Sequence, residues 1–237
     1  MNARLLLPLL ALLGCSSSSP YVTTVGVLKP GSTLVVHVAN ATVNVYQPEA
    51  KQRRDLFTIA ATALPKGPQA PAPQLRAIPR GILVGAPNAL ASLLIRVPDG
   101  TNLVLDSQRG DVNVTDIAGN AKVTARNGNV SVMLPGYAQA TVGQGNLSVT
   151  MGATAWPGTL HFIVGRGDVD VHITGTAAFT AHLHTDDGTL FTEFGLRGTS
   201  SGPSETINGG VNGGGPRSVD VETRQGAIRL LRMQPQP

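Results

Sequence analysis

At 237 residues the chain is long enough to bury one substantial core, and its 18 basic against 14 acidic side chains leave a formal net charge of only +4. With 14% charged and 4% aromatic residues it lacks the interleaved basic and aromatic surface that nucleic acid requires, and its single cysteine, Cys15, excludes an intramolecular disulfide. The 28 glycines, the abundance of Val, Thr, Asn and Ala, and the lack of a helical apolar period argue against a helical bundle and for an all-β chain with many tight turns.

The first element in chain order is a leader. Arg4 supplies a positive start, Leu5 to Leu13 form an apolar run interrupted only by Pro8, and the run is too short to cross a bilayer as a helix. Residues 1–14 therefore read as a secretion signal. Its end, Leu12-Leu13-Gly14-Cys15, resembles the bacterial lipobox, which implies diacylglycerol on the Cys15 thiol and a further acyl chain for stable anchoring. Residues 15–20, the lipidated cysteine followed by four serines and Pro20, form a polar tether. Ser16, where an aspartate would be the inner-membrane retention signal of enteric bacteria, points to the outer membrane. Loss of the leader removes Arg4 and leaves 17 basic against 14 acidic residues, a scattered excess that serves solubility.

Residues 21–237 read as one domain. Its early strands lie in "KPGSTLVVHVANATVNVY" (Lys29–Tyr46), followed by a Pro-rich insertion at 61–81. From Val97 onward the chain repeats itself. "RGDVNV" (Arg109–Val114), "NGNVSV" (Asn127–Val132), "QGNLSV" (Gln144–Val149), "RGDVDV" (Arg166–Val171), "DGTLFT" (Asp187–Thr192) and "QGAIRL" (Gln225–Leu230) align on Gly110, Gly128, Gly145, Gly167, Gly188 and Gly226. The steps are 18, 17, 22, 21 and 38 residues, the last about two periods long and containing a Gly-rich insertion at 195–216. "NATVNV" (Asn40–Val45) is a worn seventh copy.

Each repeat reads as a turn that delivers the chain into a strand. The glycine supplies a positive φ, and the Asp or Asn after it caps the turn. Val112 and Val114, Val130 and Val132, Leu147 and Val149, Val169 and Val171 then alternate with polar residues, and a second alternating run precedes each glycine. Two short strands cannot bury an apolar face alone, but stacked copies bury a continuous column. The expected fold is a single-domain parallel β-solenoid, right-handed by the crossover rule, with coils of about 17–22 residues. An antiparallel β-sandwich is the alternative. Stacking would align Asp111, Asn129, Asn146 and Asp168 in a polar ladder whose two acids are separated by two amides.

These features together resemble a bacterial envelope domain of unknown function labelled "putative adhesin". The resemblance rests on the lipobox, the Lys29–Tyr46 stretch, "VPDGTNLVLDSQRGDVNV" (Val97–Val114), the repeated Gly-Asp/Asn turns and the closing "VETRQGAIRL". It implies a β-helix-like fold and supplies no catalytic motif. The Pro-rich and Gly-rich insertions depart from the family pattern.

Few residues of the chain carry reactive or metal-binding chemistry. Asp168, Asp170 and His172 share one parity, and His182 and His184 share the next strand's face, so they are the only metal-ligand candidates; no metal or other cofactor is expected. A carboxylate cluster for glycan cleavage could come only from Asp168, Asp170, Asp186 and Asp187, where Thr185–Gly188 reads more simply as a turn, and no serine sits in a nucleophile elbow. Trp156 is expected to cover a coil edge, with Tyr137 and Phe191 exposed. The two Arg-Gly-Asp triplets occupy the same slot as Asn-Gly-Asn and Gln-Gly-Asn, so they read as coil punctuation and not as an adhesion ligand. The expected function is a lipid-anchored, non-catalytic envelope module that binds a protein or polysaccharide partner or acts as a scaffold. A self-associating structural role and a polysaccharide-active enzyme are the alternatives.

Overall fold

The computed structural model describes residues 21–47, 55–64, 71–86 and 90–233. Cys15, the leader and the tether lie outside the described residues. Twenty-one strands and no helix make up this part of the chain.

The regular centre consists of pairs of strands joined by a glycine corner. These are β8 (Asn102–Arg109) and β9 (Val112–Thr115), β10 (Ala121–Asn127) and β11 (Val130–Leu134), β12 (Ala138–Gln144) and β13 (Leu147–Met151), and β14 (Thr159–Arg166) and β15 (Val169–Thr174). Before them come β1 (Tyr21–Val27), β2 (Thr33–Val38), β3 (Thr42–Tyr46), β4 (Leu56–Ala63), β5 (Gln74–Ile78), β6 (Gly81–Ala86) and β7 (Leu90–Arg96). After them come β16 (Phe179–Asp187), β17 (Leu190–Thr192), β18 (Gly198–Ser201), β19 (Ser204–Val211), β20 (Ser218–Gln225) and β21 (Ile228–Met233).

The strands before the corners form one sheet and those after them another. Sheet A runs β1-β4-β7-β3-β9-β11-β13-β15-β21-β17, and sheet B runs β18-β19-β16-β20-β14-β12-β10-β8-β2-β6-β5. Neighbouring central strands are parallel and shifted by one coil: Leu103 lies beside Ala121, Ala121 beside Ala138, and Ala140 beside Phe162. This is an all-β solenoid of two largely parallel sheets, and the sandwich alternative falls with the parallel pairing.

The period-2 alternation of the sequence faces its apolar half inward. Val112, Val114, Val130, Val132, Leu147, Val149, Val169 and Val171 are all at most 1% exposed, opposite Leu103, Leu105, Val123, Ala140 and Phe162. Burying one such Val or Leu contributes roughly 1.5–3 kcal/mol. Phe57, Phe162 and Phe179 are the largest fully buried side chains. No buried side-chain N or O atom among the described residues lacks a hydrogen-bond partner.

The order of coils departs from the order expected from the glycine steps. In the order of the glycine steps, Gly188 would open the coil next to that of Gly167. Instead β20 lies between β14 and β16, with Val221 beside Phe162 on one side and Leu183 on the other, and β21 lies between β15 and β17. The chain passes over one coil height, builds the outermost coil, and returns through the Gly-rich segment to fill the gap. The opposite end does the same: β2 pairs with both β6 and β8, and β3 with both β7 and β9. A repeat length reports the contour of a coil, not the level at which it stacks.

Added antiparallel strands cover three of the terminal coil strands, while β17 stays an edge of sheet A. β18 and β19 form an antiparallel hairpin over β16, β5 covers β6, and β4 with β1 covers β7. Antiparallel covers of this kind occupy the backbone donors that a bare terminal coil would offer to another chain.

Candidate functional site

The glycine corner is the feature repeated on every central coil. Gly110, Gly128, Gly145, Gly167 and Gly226 have φ of 110°, 138°, 133°, 135° and 144°. A Cβ at any of the last four would lie 2.1–2.3 Å from the carbonyl oxygen of the glycine on the adjacent coil, so the glycines form a column in which backbone touches backbone. In the worn copy Ala41 fills the slot, and its carbonyl oxygen lies 2.2 Å from a Cβ built on Gly110. Gly188 corrects the expected reason for these residues. It is not among the positive-φ glycines, yet a Cβ there would meet the Gly226 carbonyl oxygen at 1.9 Å. Close approach alone demands glycine at this coil.

Beside this column runs a ladder of hydrogen bonds from coil to coil. Asp111 Oδ1 accepts from the Asn129 N–H at 2.8 Å and from Asn129 Nδ2 at 3.3 Å. Asn129 Oδ1 accepts from the Asn146 N–H at 3.0 Å, and Asn146 Oδ1 from the Asp168 N–H at 2.9 Å. Asp168 Oδ1 then accepts from the Ala227 N–H at 2.8 Å. Each side chain thus caps the turn of the next coil, not its own as the sequence suggested. The carboxylates of both Arg-Gly-Asp triplets are engaged in this way.

A second row follows on the outer face of sheet A. Asn113 Nδ2 donates to Asn44 Oδ1 at 3.0 Å, and Arg229 clamps Asp170 through Nε at 2.5 Å and Nη2 at 2.7 Å. The hydrogen bond and charge of Asp170 raise the basicity of Arg229 above its ordinary value. Between row and ladder lies a shallow hollow of about 250 Å³ lined by Asn113, Ser131, Ser148 and Asp170 among others.

The metal-ligand candidates do not converge. Asp168, Asp170 and His172 belong to the sheet A side of the stack, whereas His182 and His184 lie on β16 in sheet B. Consecutive strands of a coil alternate between sheets, so neighbours in sequence separate in space. His182 Nδ1 bonds Asn208 Oδ1 at 2.8 Å, His184 bonds Thr206 and Asp186 at 3.0 Å each, and His161 lies 3.4 Å from Asp220. No metal-holding group of three such residues occurs among the described residues. The acids considered for glycan cleavage are likewise split, because the coil of β20 and β21 intervenes between β14–β15 and β16–β17.

Trp156 is 4% exposed, donates its indole N–H to the Ser218 carbonyl at 3.2 Å, and packs against Phe179. Phe191 is 54% exposed, whereas Tyr137 is partly buried against the core. The sequence reading missed the buried hydroxyls Ser107, Thr185 and Thr223. Thr223 Oγ1 donates to the Gly167 carbonyl at 3.2 Å and Thr185 Oγ1 to the Gly226 carbonyl at 3.1 Å, so they hold the glycine column from inside. Their signal is positional: each stands three residues before a corner glycine.

Comparison with solved structures finds chains that align over 90% of this one. They are described as a putative cell adhesion protein from Clostridium sporogenes (11% identity, all of that chain covered, TM-score 0.48), a putative adhesin from Bacteroides fragilis (9%, 97% covered, TM-score 0.35), and a putative adhesin from Parabacteroides merdae (10%, 96% covered, TM-score 0.25). No curated protein matches the chain. The Toastrack DUF4097 family model matches residues 95–231, more than half of the 237 residues and nearly all of the regular stack. The chain belongs to the Toastrack DUF4097 family.

Proposed function

We propose that this protein is a lipid-anchored component of the bacterial envelope, held by Cys15 in the outer membrane, whose non-catalytic solenoid serves as an adhesin-like binding module. The observation that carries this reading is the regular outer surface. Side chains at equivalent positions recur once per coil, as in the ladder from Asp111 through Asn129 and Asn146 to Asp168. Such a surface matches a partner that is itself repetitive or extended. The anchor rests on the lipobox-like Leu12–Cys15 and the Ser-rich tether that follows. Self-association through the stack ends is the weaker reading, since antiparallel strands cover β6, β7 and β16 and leave the three-residue β17 as the uncovered terminal coil strand among the described residues.

The test has two parts. Cys15→Ser should move the protein from the membrane to the soluble fraction, and retention in the membrane removes the anchor. Immobilised full-length protein should retain purified envelope glycans or surface proteins, and a chain that retains none of them is not a binding module.

A further inference from the structure

The two positions immediately before each corner glycine turn outward at one edge of the stack. In stacking order they are Gln108-Arg109, Arg126-Asn127, Gly143-Gln144, Gly165-Arg166 and Arg224-Gln225, followed by Asp186-Asp187 on the outermost coil. Four of these five inner coils therefore carry one arginine each, and all four arginines are exposed. None of them has a side-chain ion pair among the described residues, where the exposed Arg229 is clamped by Asp170. The only carboxylates in line with these positions among the described residues are Asp186 and Asp187, beside Arg224-Gln225 at one end.

The relief of the edge adds to its charge. Gly143 and Gly165 stand in register where Arg126 and Arg224 stand on the coils to either side. The missing side chains leave a notch three coil steps long, about 14 Å at the ~4.8 Å strand spacing. A hollow of about 540 Å³ extends over Gly143, Gly165, Arg166 and Arg224 to Asp186 and Asp187, and another of about 780 Å³ lies over Gln108, Arg109, Arg126 and Asn127. Amides accompany the guanidinium groups at Gln108, Asn127, Gln144 and Gln225.

We infer that this edge binds a linear anionic glycan lying along the stack axis, its carboxylate or phosphate groups on Arg109, Arg126, Arg166 and Arg224. A sugar ring advances by about one coil height, so the two repeats can remain in step. Guanidinium forks suit carboxylate and phosphate, and the interleaved amides donate to and accept from hydroxyls. No aromatic side chain lines either hollow, so the base stacking that retains single-stranded nucleic acid has no platform here. Asp186 and Asp187 close one end of the row and set the limit of the bound segment. The inference rests on the binding-module reading and names its ligand class.

The test uses the full chain in detergent with polygalacturonate, neutral dextran of matched length, single-stranded DNA and phosphatidylglycerol vesicles as probes. Polygalacturonate should bind, dextran should not, and the affinity should fall as salt rises. Replacing Arg109, Arg126, Arg166 and Arg224 by Gln should weaken polygalacturonate binding roughly tenfold or more, through loss of four exposed charge contacts. A control with the same charge change, Lys122, Arg76, Arg217 and Arg197 to Gln, should stay within about twofold. Asp186→Asn with Asp187→Asn should strengthen binding. Equal losses in the edge variant and the control overturn the inference, as does tighter edge-dependent binding of DNA or vesicles. Undiminished capture of a purified envelope glycan by the edge variant removes the arginine row and leaves the binding module standing, whereas failure of every envelope ligand on the unaltered chain removes both.

Discussion

Asp168 Oδ1 accepts a 2.8 Å hydrogen bond from the backbone N–H of Ala227, a residue 59 positions later in the chain. The contact joins two coils that are adjacent in the stack but separated in sequence by a whole coil and a hairpin. It continues the ladder that begins at Asp111, so the crossover leaves the ladder unbroken.

Asp168→Ala should therefore cost about 1 kcal/mol, the contribution of one exposed hydrogen bond to a charged group, while Asp168→Asn should be nearly neutral because Oδ1 remains. Urea titration of the purified variants measures both. A loss in the Asn variant as large as in the Ala variant would show that charge, and not the acceptor, is what matters.

The glycine column separates steric from conformational demand. Gly128→Ala forces a Cβ to 2.3 Å from the Gly110 carbonyl oxygen at a φ of 138°, and should cost about 4 kcal/mol or more or abolish folding. Gly31→Ala, with a φ of 77° but nothing within 4 Å, should cost only about 1–2 kcal/mol. Gly188→Ala, without positive φ, should resemble Gly128→Ala. Thermal melts of the three variants rank them.

Phe179, at the start of β16, ties the outermost coil to the segments around it. Its ring lies 5.6 Å from Trp156 and 5.7 Å, edge to face, from Phe194, over which Arg232 stacks at 5.1 Å. Phe179→Ala should cost about 3–5 kcal/mol. Hydrogen exchange should accelerate in β16 and β19 while β10 to β13 keep their protection. Uniform acceleration would mean that the stack opens as one unit.

The Arg229–Asp170 pair should respond to salt and not to ordinary pH changes. Its raised basicity means that the stabilisation is present below the unfolded pKa of Arg229 and is lost only as pH rises through the still higher folded value. From about pH 6 to about pH 9 the effect of Arg229→Gln should stay constant, below about 1 kcal/mol, and shrink at high ionic strength. Denaturation midpoints across that range provide the check.

Much of this architecture is legible in the sequence because it rests on local periodicity. Alternation of Val and Leu with polar residues sets which half of each strand is buried, and the recurring glycine marks each corner. The same repeat aligns Asp111, Asn129, Asn146 and Asp168, since equal coil lengths bring equal positions into register. Periodicity does not place the histidines and acids. His172 and His182 are ten residues apart, but a corner and a change of sheet lie between them.

The amino-acid sequence by itself determined the all-β class, the coil length and the inward face, because each follows from side-chain alternation and backbone freedom within some twenty residues. Only the tertiary structure decided the stacking order, the insertion of β2–β3 and β20–β21 inside the outermost coils, and the edge where Arg109 and Arg166 share one register column and Arg126 and Arg224 the next. Those depend on which backbone edges remain unpaired when the chain returns. Pairing between strands is nearly indifferent to sequence wherever the apolar face matches, so it leaves no signature until the stack is assembled.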